Sequence, residues 1–251
     1  MELMNYPFLV LIISLVGLWL AAQVGDLLRQ RIRPLADEQH DDFNLIVGAN
    51  LTLLALLIGF SFSMAISRYD QRKNLEEAEA NAIGTAFLRA DLLPDADAAK
   101  VRALLKTYTR QRIVFYNTLD AKEVERINAE TARTHNEMWS AVRSATASHD
   151  TPIQALVVSG MNDVINSQGY TQAAWWNRIP IAAWALMAVL AVCCNIMIGY
   201  GLLRRDRRML LILPVAVAVS FYLICDIESP HRGGIQINPQ NLEVLEQSFG
   251  K

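Results

Sequence analysis

Four long apolar blocks divide the chain, and a charged, helix-friendly stretch lies between the second and third. Tyr6 to Val24 carries no charge and ends at Gly25-Asp26. Phe43 to Ile66 is equally free of charge and stops at Ser67-Arg68. Ile181 to Leu203 is bracketed by Arg178-Ile179-Pro180 and Arg204-Arg205, and Met209 to Cys225 ends at Asp226. A helix needs roughly 20 apolar residues to cross a hydrocarbon core of about 30 Å. Each block meets or approaches that length, so the pattern predicts four transmembrane helices. No basic segment precedes the first block and no A-x-A site follows it, so it reads as a retained span rather than a leader. Trp175, Trp176 and Trp184 surround the start of the third span, where an interfacial aromatic belt is expected.

Beyond Ser67 no proline occurs until Pro94, and alanine, glutamate, leucine and arginine dominate. The second span is therefore expected to leave the membrane as a continuous stalk to about Leu92. Pro94-Asp95 makes a turn, and Asp95 or Asp97 is placed to cap the next helix. That helix carries Val101, Leu104, Leu105, Tyr108, Ile113 and Phe115 at amphipathic spacing. Two more helices are expected, over about Ala121 to Ala147 and Pro152 to Gly169, the latter with Thr151 as N-cap and proline in the first turn. No useful alternating β pattern appears. The fold class is all-α, a polytopic membrane protein with four transmembrane helices and a helical extramembrane domain between helices 2 and 3. The expected divisions are 1–66 for spans one and two, 67–178 for the helical domain, 179–227 for spans three and four, and 228–251 for an extramembrane tail.

Composition agrees with a membrane chain: of 251 residues, 53% are hydrophobic and 19% charged, against about a quarter charged in soluble domains. A net charge of −2 gives no field that would recruit nucleic acid. The partner implied is the lipid bilayer. Orientation is read from the short connections, which hold Arg29, Arg31 and Arg33 on one hand and Arg204, Arg205, Arg207 and Arg208 on the other. The positive-inside rule puts both in the cytoplasm of a cell (inner) membrane, with the termini and the helical domain outside. Arg68, Arg72 and Lys73 flank the second span on the opposite side, but they open a long segment that such counting weights little.

Several stretches carry a family resemblance. They are Gly59-Phe60-Ser61-Phe62-Ser63, Ser67-Arg68-Tyr69-Asp70-Gln71-Arg72, and the run from Glu79 through Gly84 to Arg89. Met161-Asn162-Asp163-Val164-Ile165 and the tail from Asp226 to Ile235 belong with them. Together they resemble the bestrophin-like family of bacterial membrane proteins, with His231 standing where that family usually has an aromatic. The resemblance implies kinship with bestrophin anion channels, which are pentamers whose second helix lines the pore and whose helical domain is cytosolic. It implies a homo-oligomer and permeant anions, and it brings no catalytic residues.

Candidate chemistry is sparse. There is no HExxH, G-x-S-x-G, Walker loop or cysteine pair at metal spacing, so the sequence reads as non-enzymatic and without a cofactor. His40, within Asp37-Glu38-Gln39-His40-Asp41-Asp42, lies in a polar run whose carboxylates suit a helix N-terminus. His135 and His149 are expected to be surface or packing residues. In the second span Gly48, Thr52, Ala55, Gly59 and Ser63 recur at steps of four and three and share a face. That face suits close helix packing or the lining of a pore, with Phe60 and Phe62 narrowing the pore or packing behind it. Asn50 and Asn195 are expected to hydrogen-bond between helices. At the far end of span four, Asp226 and Glu228 sit where the helix dipole disfavours carboxylates, and they are expected to pair with Arg68, Arg72 or Lys73. Two functions fit: a homo-oligomeric ion channel lined by helix 2, or a non-conducting membrane sensor or scaffold whose helical domain binds a partner.

Overall fold

The computed structural model describes residues 2–31, 39–147, 151–201, 209–229 and 232–250. Arg33, Asp37, Glu38, His149, Arg204, Arg205, Arg207, Arg208 and His231 lie outside the described residues. Among those described, helices account for nearly everything and no strand occurs. After a short 3-10 turn at Glu2–Asn5 come α1 (Pro7–Arg31), α2 (Gln39–Arg89), α3 (Asp95–Asn117) and α4 (Ala121–Thr146). They are followed by α5 (Pro152–Trp176), α6 (Ile181–Gly201), α7 (Met209–Ile227) and α8 (Gln240–Ser248). Four helical stretches are long and apolar enough to cross a membrane, within Pro7–Arg31, Gln39–Leu92, Pro152–Gly201 and Met209–Ile227. The chain is a multi-pass membrane protein.

The helices form two compact units: Met1–Arg68 with Arg178–Ile235, and Tyr69–Asn177 with Gln236–Lys251. α2 belongs to both, running 51 residues without a break because nothing between Gln39 and Arg89 is a proline. The tail divides between the units at residue 235.

In the first unit α1 packs on α6 and α7. Where α1 meets α6 the backbones approach until only glycine fits. A Cβ on Gly25 would lie 2.0 Å from the Ile196 carbonyl oxygen, and one on Gly199 would lie 2.0 Å from that of Ala22. In lipid, with no hydrophobic gain between helices, such close van der Waals contact is a main source of association. Trp184 turns inward and meets Phe221 edge-on at 5.8 Å. Among the described residues, Asn50 and Asn195 do not make the expected bridges between helices. Each amide returns to a carbonyl one turn back, that of Ile46 at 2.9 Å and that of Ala191 at 2.8 Å. The intrahelical carbonyl is always within reach, whereas a partner on another helix must happen to face it.

The second unit packs α3, α4, α5 and α8 around the outer part of α2. Ile83, Leu105, Tyr108, Phe115, Met138, Val142, Met161, Val164 and Leu242 form its centre. Of the expected stripe on α3, Val101, Leu105, Tyr108 and Phe115 are buried, while Leu104 and Ile113 pack partly against them. Two expectations change here. Pro94, not an aspartate, takes the N-cap position of α3 without a side-chain cap, and Asp95 and Asp97 sit in the first turn, where they still complement the dipole. Trp175 is no belt residue: it is buried, edge-on to Phe115 at 4.9 Å and Tyr116 at 5.6 Å, because α5 continues past Gly169 to Trp176. Of the three tryptophans expected in the belt, Trp176 is the exposed one, at 75%. Thr151 caps α5 by accepting from the Gln154 N–H, with Pro152 in the first turn.

Candidate conduit face and charged junctions

The small-residue face of α2 is open in the single chain. Gly48, Thr52, Ala55, Gly59 and Ser63 are all exposed, and a Cβ built on Gly48 or Gly59 meets nothing within 4 Å. The opposite side is the packed one, with Leu54, Ser61 and Ala65 buried and the Ser61 hydroxyl 3.3 Å from the Met187 sulfur. Thr52 donates to the Gly48 carbonyl at 2.8 Å, so its hydroxyl proton is satisfied within the helix. The two phenylalanines separate. Phe60 is 60% exposed beside the open face. Phe62 lines an apolar groove of about 580 Å³ along α2 and α7, together with Leu54, Ala55, Gly59, Val217 and Leu223.

At the end of α7 the charged residues sort by partner. Glu228 Oε2 accepts from Arg68 Nη1 at 3.1 Å and from the Ile179 backbone N–H at 2.9 Å, with both ionic side chains largely buried. One carboxylate thus joins the second span's exit to the approach of α6. Arg178 donates to the Asn5 amide oxygen at 2.6 Å. Asp226 receives two backbone N–H groups, from Gly234 at 2.7 Å and Ile235 at 2.9 Å. These donors offset the unfavourable dipole at its position, and the turn that delivers them needs Gly233, whose Cβ would lie 2.2 Å from the Asp226 carbonyl oxygen. Ser229 Oγ donates to the Met4 carbonyl at 2.6 Å, closing the first turn of the chain onto the tail. Arg72 and Lys73 belong to the second unit, Arg72 buried and Lys73 exposed.

A third constellation escaped the sequence reading. Glu79, at 0% exposure, receives Arg112 Nε at 2.6 Å and Nη2 at 3.3 Å, the Tyr108 hydroxyl at 2.7 Å and the Thr171 hydroxyl at 3.3 Å. The Arg112 guanidinium also lies over the Phe115 ring at 4.3 Å. Burial works against the charged guanidinium, but the adjoining Glu79 carboxylate more than reverses this and holds its pKa above the ordinary value. Burial, reinforced by Glu79, pushes the Tyr108 phenol well up. One turn earlier Glu76 is equally buried, and its carboxylate accepts from the Asn241 amide at 2.7 Å and the Leu242 N–H at 3.0 Å. The only hint in the sequence was spacing, since Arg72, Glu76 and Glu79 fall on one face of the stalk.

The Bestrophin-like domain model matches residues 11–242. The chain belongs to the bestrophin-like family. Solved structures resemble this bestrophin-like protein over almost its whole length. A mutant of a bacterial bestrophin homologue from Klebsiella pneumoniae superposes with a TM-score of 0.64 at 13% identity, covering 97% of each chain. A second mutant of that homologue gives 0.62 at 15% identity, over 95% of this chain and 97% of the other. A structure described as a membrane protein gives 0.66 at 13%, with the same coverage as the second mutant. No curated protein matches the chain. At such identities the structural likeness establishes the fold.

Proposed function

We propose that this bestrophin-like protein is a homo-oligomeric ion channel in the cell membrane, with the membrane half of α2 lining the conduit. The observation that carries the reading is the open face of Gly48, Thr52, Ala55, Gly59 and Ser63. Elsewhere in the same unit small residues are consumed by close packing, at Gly25 and Gly199, whereas on α2 they face outward in a single copy. Several copies arranged around those faces would enclose a weakly polar passage. In such a passage an anion would keep most of its own water, since the Thr52 proton is already donated to the Gly48 carbonyl, and apolar side chains set the width. Phe60, exposed at the border of the face, is the candidate constriction; Phe62 packs behind it towards α7. Kinship with bestrophins points to anions as the permeant species. The Glu228–Arg68 junction would hold α2 in register with α6 and α7 at the mouth.

Purified protein in planar bilayers tests this reading. Discrete currents are expected, reversing near the anion equilibrium potential in a salt gradient, and Ser63→Trp or Gly59→Trp should block them while leaving the detergent-solubilised particle the same size. Silence across varied salts, from a particle of confirmed oligomeric size, would remove the channel reading. A monomer in mild detergent and in native membranes would remove the assembly.

A further inference from the structure

One imidazole of the second unit borders the buried Glu79–Arg112 pair. His135, on α4, points into the cluster that Glu79 organises. Its ring lies 5.2 Å from that of Tyr108, the residue that donates to Glu79. Its Nε2 is buried without a hydrogen-bond partner in the protein, as is Nη1 of Arg112. Thr131, one turn earlier on α4, is also buried with its hydroxyl unpartnered.

The ionisable groups facing this imidazole are few. α3 presents Arg112 and Tyr108, and α2 presents Glu79. α5 carries only Asp163 and Tyr170, both exposed, with Asp163 3.9 Å from Arg89. On α4 itself Arg133 and Glu137 are exposed. Among the described residues the carboxylate acting on this imidazole is Glu79, and it is already engaged by Arg112, Tyr108 and Thr171. A proton on His135 would add a second cation beside Arg112 with no counter-charge left over.

We propose that His135 is a proton switch of the helical unit: neutral, it completes the α3–α4 packing, and protonated, it loosens α4 from α3. Burial, followed by the Arg112 charge, holds its pKa below the ordinary 6.5, and Glu79 opposes this only in part. The sign follows from linkage. The neutral ring's contribution is complete above the ordinary value and is lost as pH falls from there towards the lowered folded value, because the unfolded chain takes up the proton first. The consequence reaches the part of α2 that carries Glu79 within the same unit.

Hydrogen exchange of the full-length protein in detergent tests the switch without requiring conduction. Protection is compared at pH 7.5 and 5.5 after correction for intrinsic rates. Protection over residues 128–142 should fall by more than about threefold on acidification, while α1 and α6 stay unchanged. His135→Gln and the ring-preserving His135→Phe should keep the protection seen at pH 7.5 and lose the response. Should the glutamine variant fold poorly, the phenylalanine variant decides. A wild-type chain indifferent to pH, or a variant that responds as the wild type does, would overturn the proposal.

Discussion

Glu76 Oε1 accepts a hydrogen bond from the Leu242 backbone N–H, 3.0 Å away and 166 positions distant in sequence. The contact explains how α8 exists at all. Its N-cap position is Pro239, which has no side-chain cap to offer, and a nine-residue helix is too short to persist alone in water. Glu76 supplies the missing acceptor from α2, Leu242 is wholly buried beneath the helix, and Phe249 stacks on Phe87 at 4.3 Å. Lys106 closes the far end by donating to the Phe249 carbonyl at 2.7 Å. Glu76→Ala should therefore release α8, at a cost of about 2 kcal/mol from the lost cap and its stranded donors. Limited proteolysis near residue 240 would show this as faster cleavage, with Glu76→Gln intermediate. Equal cleavage in all three proteins would mean that apolar packing alone holds the helix.

The Glu79–Arg112 pair, at 0% exposure on both sides, should behave asymmetrically under mutation. Removing one member leaves the other charged and buried, which costs about 3–5 kcal/mol, whereas replacing both with apolar groups of similar volume is often nearly neutral. Arg112→Met is accordingly expected to lower the stability of the helical unit sharply. Arg112→Met combined with Glu79→Leu should recover much of that loss. Denaturant unfolding followed through the buried Trp175 would read both. Tyr108→Phe removes one of several donors to Glu79 and should cost only about 1–2 kcal/mol.

Glycines in the membrane unit divide into two kinds that sequence alone does not separate. Gly25→Val places side-chain carbon inside the Ile196 carbonyl oxygen, so α1 and α6 must part, at a cost of about 3 kcal/mol. Gly59→Ala meets nothing within 4 Å in the single chain and improves helix propensity, so thermal stability of the solubilised protein should hold or rise slightly. A large loss at Gly59 would mean that a neighbouring copy packs directly against that position.

What the sequence disclosed was what a single stretch can encode. The four membrane helices are legible because hydrocarbon excludes charge and unpaired backbone, and the stalk is legible because no proline interrupts it before Pro94. What depended on a distant partner was hidden. α8 needed Glu76 as its cap. Gly25 needed Gly199 across the crossing. Trp175 read as an interfacial aromatic until the length of α5 put it against Phe115. Nothing local showed that Glu228 would meet Arg68 or that Asp226 would also receive the backbone of a turn that depends on Gly233. The open face of α2 was visible as a pattern, but its openness was not, since packing and lining faces use the same small residues.

Orientation gives a prediction that charge alone can make. Seven arginines follow the apolar parts of spans one and three: Arg29 and Arg31 in the last turn of α1, then Arg33, Arg204, Arg205, Arg207 and Arg208. Short loops are where the positive-inside bias acts most strongly. On the opposite side Arg68, Arg72 and Lys73 open a long segment that the bias weights little. Arg68 is joined to Glu228, Arg178 donates to Asn5, and Arg72 is buried. The helical unit is thus expected outside the cytoplasm, where the pH that His135 would report is that of the surroundings. Asn136→Cys, at an exposed position on α4, should react with a membrane-impermeant maleimide in intact cells when the three native cysteines are replaced. Reaction only after lysis would invert the topology and place His135 in a compartment whose pH the cell regulates. In that case acid sensitivity would report cytoplasmic acidification instead, so the labelling pattern decides which compartment the switch can read.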